Sequence, residues 1–116
     1  MKDLGRIGEE ISIKYLEKYD NLHLVNKNLH LKFTEIDLLY YDSQLRENVI
    51  VECKLRTKVT GFDIENFITR HKLNRLKGSL RYLELTKGIP ARLDLVLICL
   101  NSKKIAKILY LKNFEA

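Results

Sequence analysis

Apolar and polar positions along the chain repeat with two different periods, and the switches between them mark out its elements. From residue 4 to residue 19, Leu4, Ile7, Ile11 and Tyr15 recur three and four apart, the spacing that lines one helical face, and Ile13 and Leu16 widen it. Leu22, Leu24, Leu29, Leu31 and Phe33 then alternate with polar residues, as one strand or two short strand pieces would. The stretches Glu35–Tyr41 (EIDLLYY) and Asn48–Leu55 (NVIVECKL) favour strand and flank the polar DSQLRE segment, which predicts an antiparallel hairpin. After a loop containing Gly61, Thr69 is a good N-cap, with Ile68 and Leu73 at the positions of a hydrophobic staple. The helix it opens is expected to bury Leu73, Leu76, Leu80 and Leu83 and to stop near Lys87, ahead of Gly88 and Pro90. Arg92–Leu100 and Lys104–Leu111 predict a closing hairpin that turns at Asn101 and Ser102. Helix, strand, strand pair, helix, strand pair is the order of an α/β fold, a small mixed β-sheet flanked by helices.

Composition narrows the possibilities. A chain of 116 residues, 46% of them hydrophobic, suits a single domain over residues 1–116 with enough apolar surface for its own core. One Pro, five Gly and no low-complexity tract argue against a disordered tail. The longest apolar run, Leu95–Leu100, is far shorter than a membrane span, and MKDLGRIGEE lacks the apolar core of a secretory signal, so a cytoplasmic location without a membrane partner is expected. Cys53 and Cys99 lack partners at metal-ligand spacing and read as buried thiols. Twenty-one Lys and Arg against 15 Asp and Glu give a net charge of +6, which favours a polyanion and makes nucleic acid the first partner to consider. Simple solubility would account for the same charge.

Candidate chemistry sits on the first hairpin. Period-two geometry puts Glu35, Asp37 and Leu39 on one face of its first strand and Ile50, Glu52 and Lys54 on one face of its second, leaving Ile36, Leu38, Val51, Cys53 and Leu55 on the apolar side. Charged residues on a solvated strand face often form plain cross-strand ion pairs. Here three acids share the face with one lysine, a crowding that a divalent cation would relieve. Asp37 and Glu52 could hold magnesium, a hard ion that takes oxygen ligands and keeps waters for use as nucleophiles. Lys54 stands where it could orient the attacking water or offset charge at phosphorus, and the Cys53 carbonyl is a further ligand candidate. Glu9 and Glu10 lie early in the first helix, where the helix dipole alone would account for them. Lys72, at the third helical position after Thr69, opposes that dipole. A solvated lysine costing a few tenths of a kcal/mol is the plainer reading and a functional load the other. His23, His30 and His71 lack ligand spacing, and Tyr40, Tyr41 and Tyr82 read as packing before base stacking.

The segments GRIGEEISIKYL, TEIDLL, VIVECKLR, TRHKLNRLKGSLRYL and RLDLVLI resemble, in order and spacing over nearly the whole chain, the bacterial YraN-like uncharacterised family. That family looks like a branch of the PD-(D/E)xK nuclease superfamily, similar to archaeal Holliday-junction resolvases. The resemblance implies a restriction-endonuclease-like core and a metal-dependent endonuclease acting on DNA, branched or structured DNA included, with Mg²⁺ or Mn²⁺ as cofactor. Asp37, Glu52, Lys54 and Glu9 become the catalytic set, with Asp37, Glu52, Glu9 and the Cys53 carbonyl around the metal. Glu10 is the alternate to Glu9, and Glu35 and Asp94 take supporting positions. Lys72, Arg56 and Arg75 are candidates for contact with nucleic acid, and resolvase analogy suggests a homodimer. Thr34 stands where the family pattern has Gly, disfavouring a positive φ there, and Cys53 and Leu55 replace its usual Val and Thr. A non-catalytic nucleic-acid-binding module on a nuclease scaffold is the competing reading.

Overall fold

In the computed structural model, which describes residues 4–32, 34–57, 63–101 and 104–115 apart from the Ala106 side chain, the expected elements follow in the expected order. They are α1 (Leu4–Leu16), β1 (Leu22–His30), β2 (Glu35–Asp42), β3 (Glu47–Arg56), α2 (Arg70–Lys87), β4 (Ala91–Asn101) and β5 (Lys104–Leu111), with a short 3₁₀ turn at Ile64–Asn66. Phe33, the Gly61 segment and Ser102 lie outside the described residues. The strands form one mixed sheet in the order β1-β2-β3-β4-β5. β3 and β4 are parallel, joined by α2 as crossover, and the other neighbours are antiparallel.

Each helix covers one face. Leu73, Leu76 and Leu83 of α2 pack with Ile50 of β3 and Leu93, Leu95 and Leu97 of β4, while Leu16 of α1 packs on the other face with Val49, Val51 and Leu55 of β3 and Val96 and Ile98 of β4. Thr69 caps α2 by accepting from the Lys72 N–H (3.1 Å), and Gly88 ends it in the left-handed conformation at φ 72°. Ile68 and Leu73 meet in the core as a staple should.

The buried seams of both helices differ from the expected stripes. On α1 the buried residues are Gly8, Ser12 and Leu16, flanked by half-buried Ile7, Ile11, Ile13 and Tyr15, while Leu4 is exposed. On α2 Ser79 is fully buried and Leu80 only partly so. Small residues let a helix axis approach the sheet, and both serines satisfy their hydroxyls within their own helix, Ser12 on the Gly8 carbonyl (2.8 Å) and Ser79 on that of Arg75 (3.2 Å). β1 forms one strand whose register shifts between Leu24 and Asn26, with Asn28 at φ 51°.

What positions the site is a fork in the sheet. β2 and β3 pair from Asp42 and Glu47 as far as Leu38 and Val51, where their ladder stops. β2 continues beside β1 to the Glu35–His30 pair, and β3 continues beside β4 to Arg56 and Cys99. Alternation breaks there too: Ile36 joins Leu39 on the α2 side, whereas Leu38 and Tyr40 lie on the α1 side. The expected sharing of one face by Ile36 and Leu38, and by Asp37 and Leu39, is therefore corrected. A strand released from its neighbour is free to twist, and Asp37 turns into the gap.

Candidate functional site

Asp37 replaces the missing ladder bond. Its Oδ2 accepts the Cys53 N–H at 3.0 Å, so a side chain takes the place of a β2 carbonyl. The N–H and C=O of one strand residue project to the same edge, and the Cys53 carbonyl accordingly faces the fork. The Cys53 side chain points the other way, into the α1 core, where burial pushes its thiol well above the usual range; both cysteines are buried and free.

Glu52, the next residue back along β3, is fully buried, and among the described residues neither of its carboxylate oxygens has a hydrogen-bond partner. Two ammonium groups approach Oε2 as ion pairs instead, Lys54 at 3.3 Å and Lys72 at 3.8 Å. Burial first, and the neighbouring Asp37 charge second, raise the Glu52 carboxyl to about 7 against the pull of both lysines. A buried carboxylate without hydrogen bonds is costly, so its retention beside a second carboxylate calls for an explanation.

Lys72 is not the solvated lysine of the plainer reading. Its Nζ donates to Thr34 Oγ1 (3.1 Å) and to the Glu35 carbonyl (3.2 Å) while facing Glu52, and only 19% of its side chain is exposed. The first turn of α2 is thus tied to the free end of β2. Thr34 is absent from the described non-glycine residues with positive φ, so the expected backbone discomfort does not arise and its hydroxyl supplies an acceptor.

Glu9 arrives from the other side. It projects from α1, which sits on β3 close enough that a Cβ at Gly8 would lie 3.4 Å from that of Leu55. A cavity of about 580 Å³ is lined by Glu9, Glu10, Lys27, Asn28, Glu35, Asp37 and Lys72, and a smaller one of about 170 Å³ by Glu9, Asp37, Cys53 and Lys54. Burial and the Asp37 charge raise the Glu9 carboxyl, and a hydrogen bond from Asn28 opposes them. Among the described residues, however, no three of the His, Cys, Asp and Glu side chains gather into a group able to cage a metal. The acids meet as the pair Asp37–Glu52, with Glu9 across the cavity.

Other candidates have different surroundings. Glu10 pairs with Arg6 at 3.6 Å on the exposed side of α1, beyond the helix's first turn, which contains no acid. Glu35 is exposed, 4.0 Å from His30. Arg56 donates to the carbonyls of Leu55, Asn66 and Phe67, tying the end of β3 to the 3₁₀ turn. Arg75 is exposed on α2. Asp94 belongs to a separate buried network, accepting from Arg92 (3.0 Å), Tyr110 and the Asn113 N–H (2.8 Å). Sequence reasoning passed over Asn28 and Thr34 as neighbours of the acids. The one signal for Asn28 was its residue type, since Asn tolerates the left-handed conformation it adopts.

The donor set suits magnesium, which is commonly held by one or two carboxylates and otherwise keeps waters and substrate phosphate oxygens. The orphaned Glu52 carboxylate and the adjoining Asp37 are such a pair.

Comparison with known proteins follows the same residues. A UPF0102 protein of Campylobacter jejuni subsp. doylei is 23% identical over 101 residues, covering 87% of this chain and 86% of that protein. A UPF0102 protein of Mycobacterium tuberculosis is 31% identical over 74 residues, covering 64% of this chain and 57% of the relative. Residues 8–98, which run from the seam of α1 through the fork and α2 into β4, match the description "Uncharacterised protein family UPF0102", and the chain belongs to that family.

Proposed function

We propose that this chain is a divalent-metal-dependent endonuclease acting on DNA, branched or structured forms included, with Asp37 and Glu52 holding the cation. One observation carries the reading: Glu52 is buried, without a hydrogen bond among the described residues, beside a second carboxylate at the point where the sheet forks. A bound Mg²⁺ or Mn²⁺ would supply Lewis acidity and lower the pKa of a coordinated water. In the hydrolysis, a water oxygen bonds to phosphorus, one bridging P–O ester bond breaks, the water loses a proton and the departing oxygen gains one. Lys54, whose side chain is 28% exposed and whose Nζ lies 3.3 Å from Glu52, would orient that water and offset charge on the phosphoryl oxygens. Lys72 would steady the Glu52 side chain from the α2 side, and Glu9 would complete the acidic wall of the cavity.

Cleavage of a labelled four-way junction and a matched duplex in magnesium tests the proposal. The wild type should cut, and folded Asp37→Ala and Lys54→Ala proteins should be slower by about a hundredfold or more. Equal activity in all three would overturn it. Binding indifferent to magnesium and to Asp37, without cleavage, would point instead to the binding-module reading.

A further inference from the structure

The positive charge of this chain is concentrated on one element. α2 carries Arg70, Lys72, Arg75, Lys77, Arg81 and Lys87 against a single acid, Glu84, which accounts for nearly all of the net charge of +6. Its buried residues Leu73, Leu76, Ser79 and Leu83 face the sheet. Asn74, Gly78, Arg81 and Leu85 recur four, three and four apart on the opposite side. A cavity of about 620 Å³ lies there, lined by Lys32, Asn74, Lys77, Arg81, Tyr82 and Leu85. Two of its lining residues, Lys32 and Asn74, lie within three positions in sequence of Glu35 and Lys72, which line the acidic cavity, and Lys72 bonds Thr34 and the Glu35 carbonyl at that end of α2.

We infer that this face of α2 is a track for an unpaired nucleic-acid strand running from the acidic fork toward Leu85. Cationic side chains alone would suit any polyanion, but this groove also contains Tyr82 and Leu85, the latter 79% exposed. An apolar side chain so exposed within a basic groove is available for contact with the face of a base. Basic grooves that also hold aromatic platforms, as Tyr82 would be here, are how proteins take single strands, whereas the bases of a duplex present no free faces. The inference deepens the nuclease reading and rests on it, since it defines the substrate as DNA with an unpaired segment next to the cleaved bond.

The test is binding by the full chain with metal chelated, so that nothing is cut. The probes are a fluorescein-labelled blunt duplex, the same duplex with a poly-dT tail, and the poly-dT strand alone. The wild type should prefer the tailed and single-stranded probes. Arg81→Glu should weaken both by about tenfold and change blunt-duplex binding less than about twofold, with the log–log salt slope reduced by about 0.7 for each phosphate the variant no longer neutralises. Leu85→Ser, at an exposed position where the fold is not at stake, should weaken the tailed probe without altering the slope. Equal weakening of all three probes, or none, would overturn the track. If the track pattern holds but the wild type fails to cut in magnesium, the nuclease reading alone falls; if the wild type cuts and Arg81→Glu binds normally, the track alone falls.

Discussion

Glu52 combines two opposed demands. As a member of an apolar core it should be neutral, and as the ligand proposed for the metal it must be ionised. Its carboxyl, raised by burial and then by Asp37 from an ordinary 4.5 to about 7, stays protonated in the folded chain over a pH range where the unfolded chain has lost the proton. The metal-free protein therefore loses stability as pH rises from 4.5 through 7, by about 3 kcal/mol as an order of magnitude. Glu52→Gln should remove that slope, raising the urea midpoint well above the wild type's at about pH 8 and little at about pH 5. Magnesium affinity should run the other way, strengthening as pH rises past 7 because the ion needs the carboxylate, and titration calorimetry on either side of that value checks it. The turn of Asp37 into the fork lay outside strand period, which breaks there, whereas the sharing of one β3 face by Glu52 and Lys54 was legible from it. That Glu52 would be sealed from water was not, because burial depends on what α2 covers.

At the scale of elements, the spacing between helix and strand decides where Glu9 and Lys72 stand. Gly8 gives α1 its close approach to β3: an added Cβ would meet Leu55 at 3.4 Å, the edge of ordinary contact. Gly8→Ala should stay within about 1 kcal/mol of the wild type, helix propensity offsetting the contact, while Gly8→Leu should cost about 1–3 kcal/mol by overpacking and carry Glu9 away from the fork. Urea unfolding measures the first effect and cleavage rate the second. Lys72→Met releases α2 from Thr34 and Glu35 and leaves Glu52 with Lys54 alone. Its cost should be about 1–2 kcal/mol at about pH 8, where Glu52 is ionised, and smaller at about pH 5, where it is protonated. The helix limits were readable from Thr69 and Gly88, because capping is local chemistry. Leu16, Leu73, Leu76 and Leu83 are buried as the pattern has them, but the small members of the seams were missed because a hydrophobic pattern ranks residues by apolarity, whereas close packing selected Gly8, Ser12 and Ser79 for size.

Across the whole molecule, the costly polar cluster at the fork has a satisfied counterpart elsewhere. Arg92, 4% exposed, donates to Asp42 and Glu47 at 2.7 Å each and to Asp94 at 3.0 Å, while Asn21 and the Gln44 and Leu45 N–H groups complete Asp42. Burial opposes the Asp42 charge, but hydrogen bonds from Asn21, Arg92 and the backbone outweigh it and hold the carboxyl well below its usual 3.8. A depressed carboxylate contributes stability above its unfolded value and loses it as pH falls further. Asp42 thus weakens the fold on the acid side of 3.8 and Glu52 on the way up to 7, so metal-free stability should peak on the acid side of neutrality. Unfolding midpoints across that range test this, and added magnesium should flatten only the upper limb. Arg92→Met, which strands Asp42 and Asp94, should cost about 3–5 kcal/mol. Asp94 drew notice through family pattern, yet its donor Tyr110, and Asp42, which shares Arg92 with it, lie far off in the chain and nothing in its own neighbourhood pointed to them.

Residue order alone determined the alternation of helix and strand, the two hairpins, the cap and stop of α2, and the sharing of one β3 face by Glu52 and Lys54. Each of these depends on a period of two or 3.6, or on groups a few residues apart, so local sterics and hydrogen bonding suffice. Only the tertiary structure decided that β2 leaves β3 after Leu38, that Asp37 takes up the freed Cys53 N–H, that Glu52 is dry, and that Lys72 turns inward while Arg81 turns out. Those outcomes depend on which faces the two helices cover and how closely they approach, quantities set by packing among residues distant in sequence, which no local period encodes.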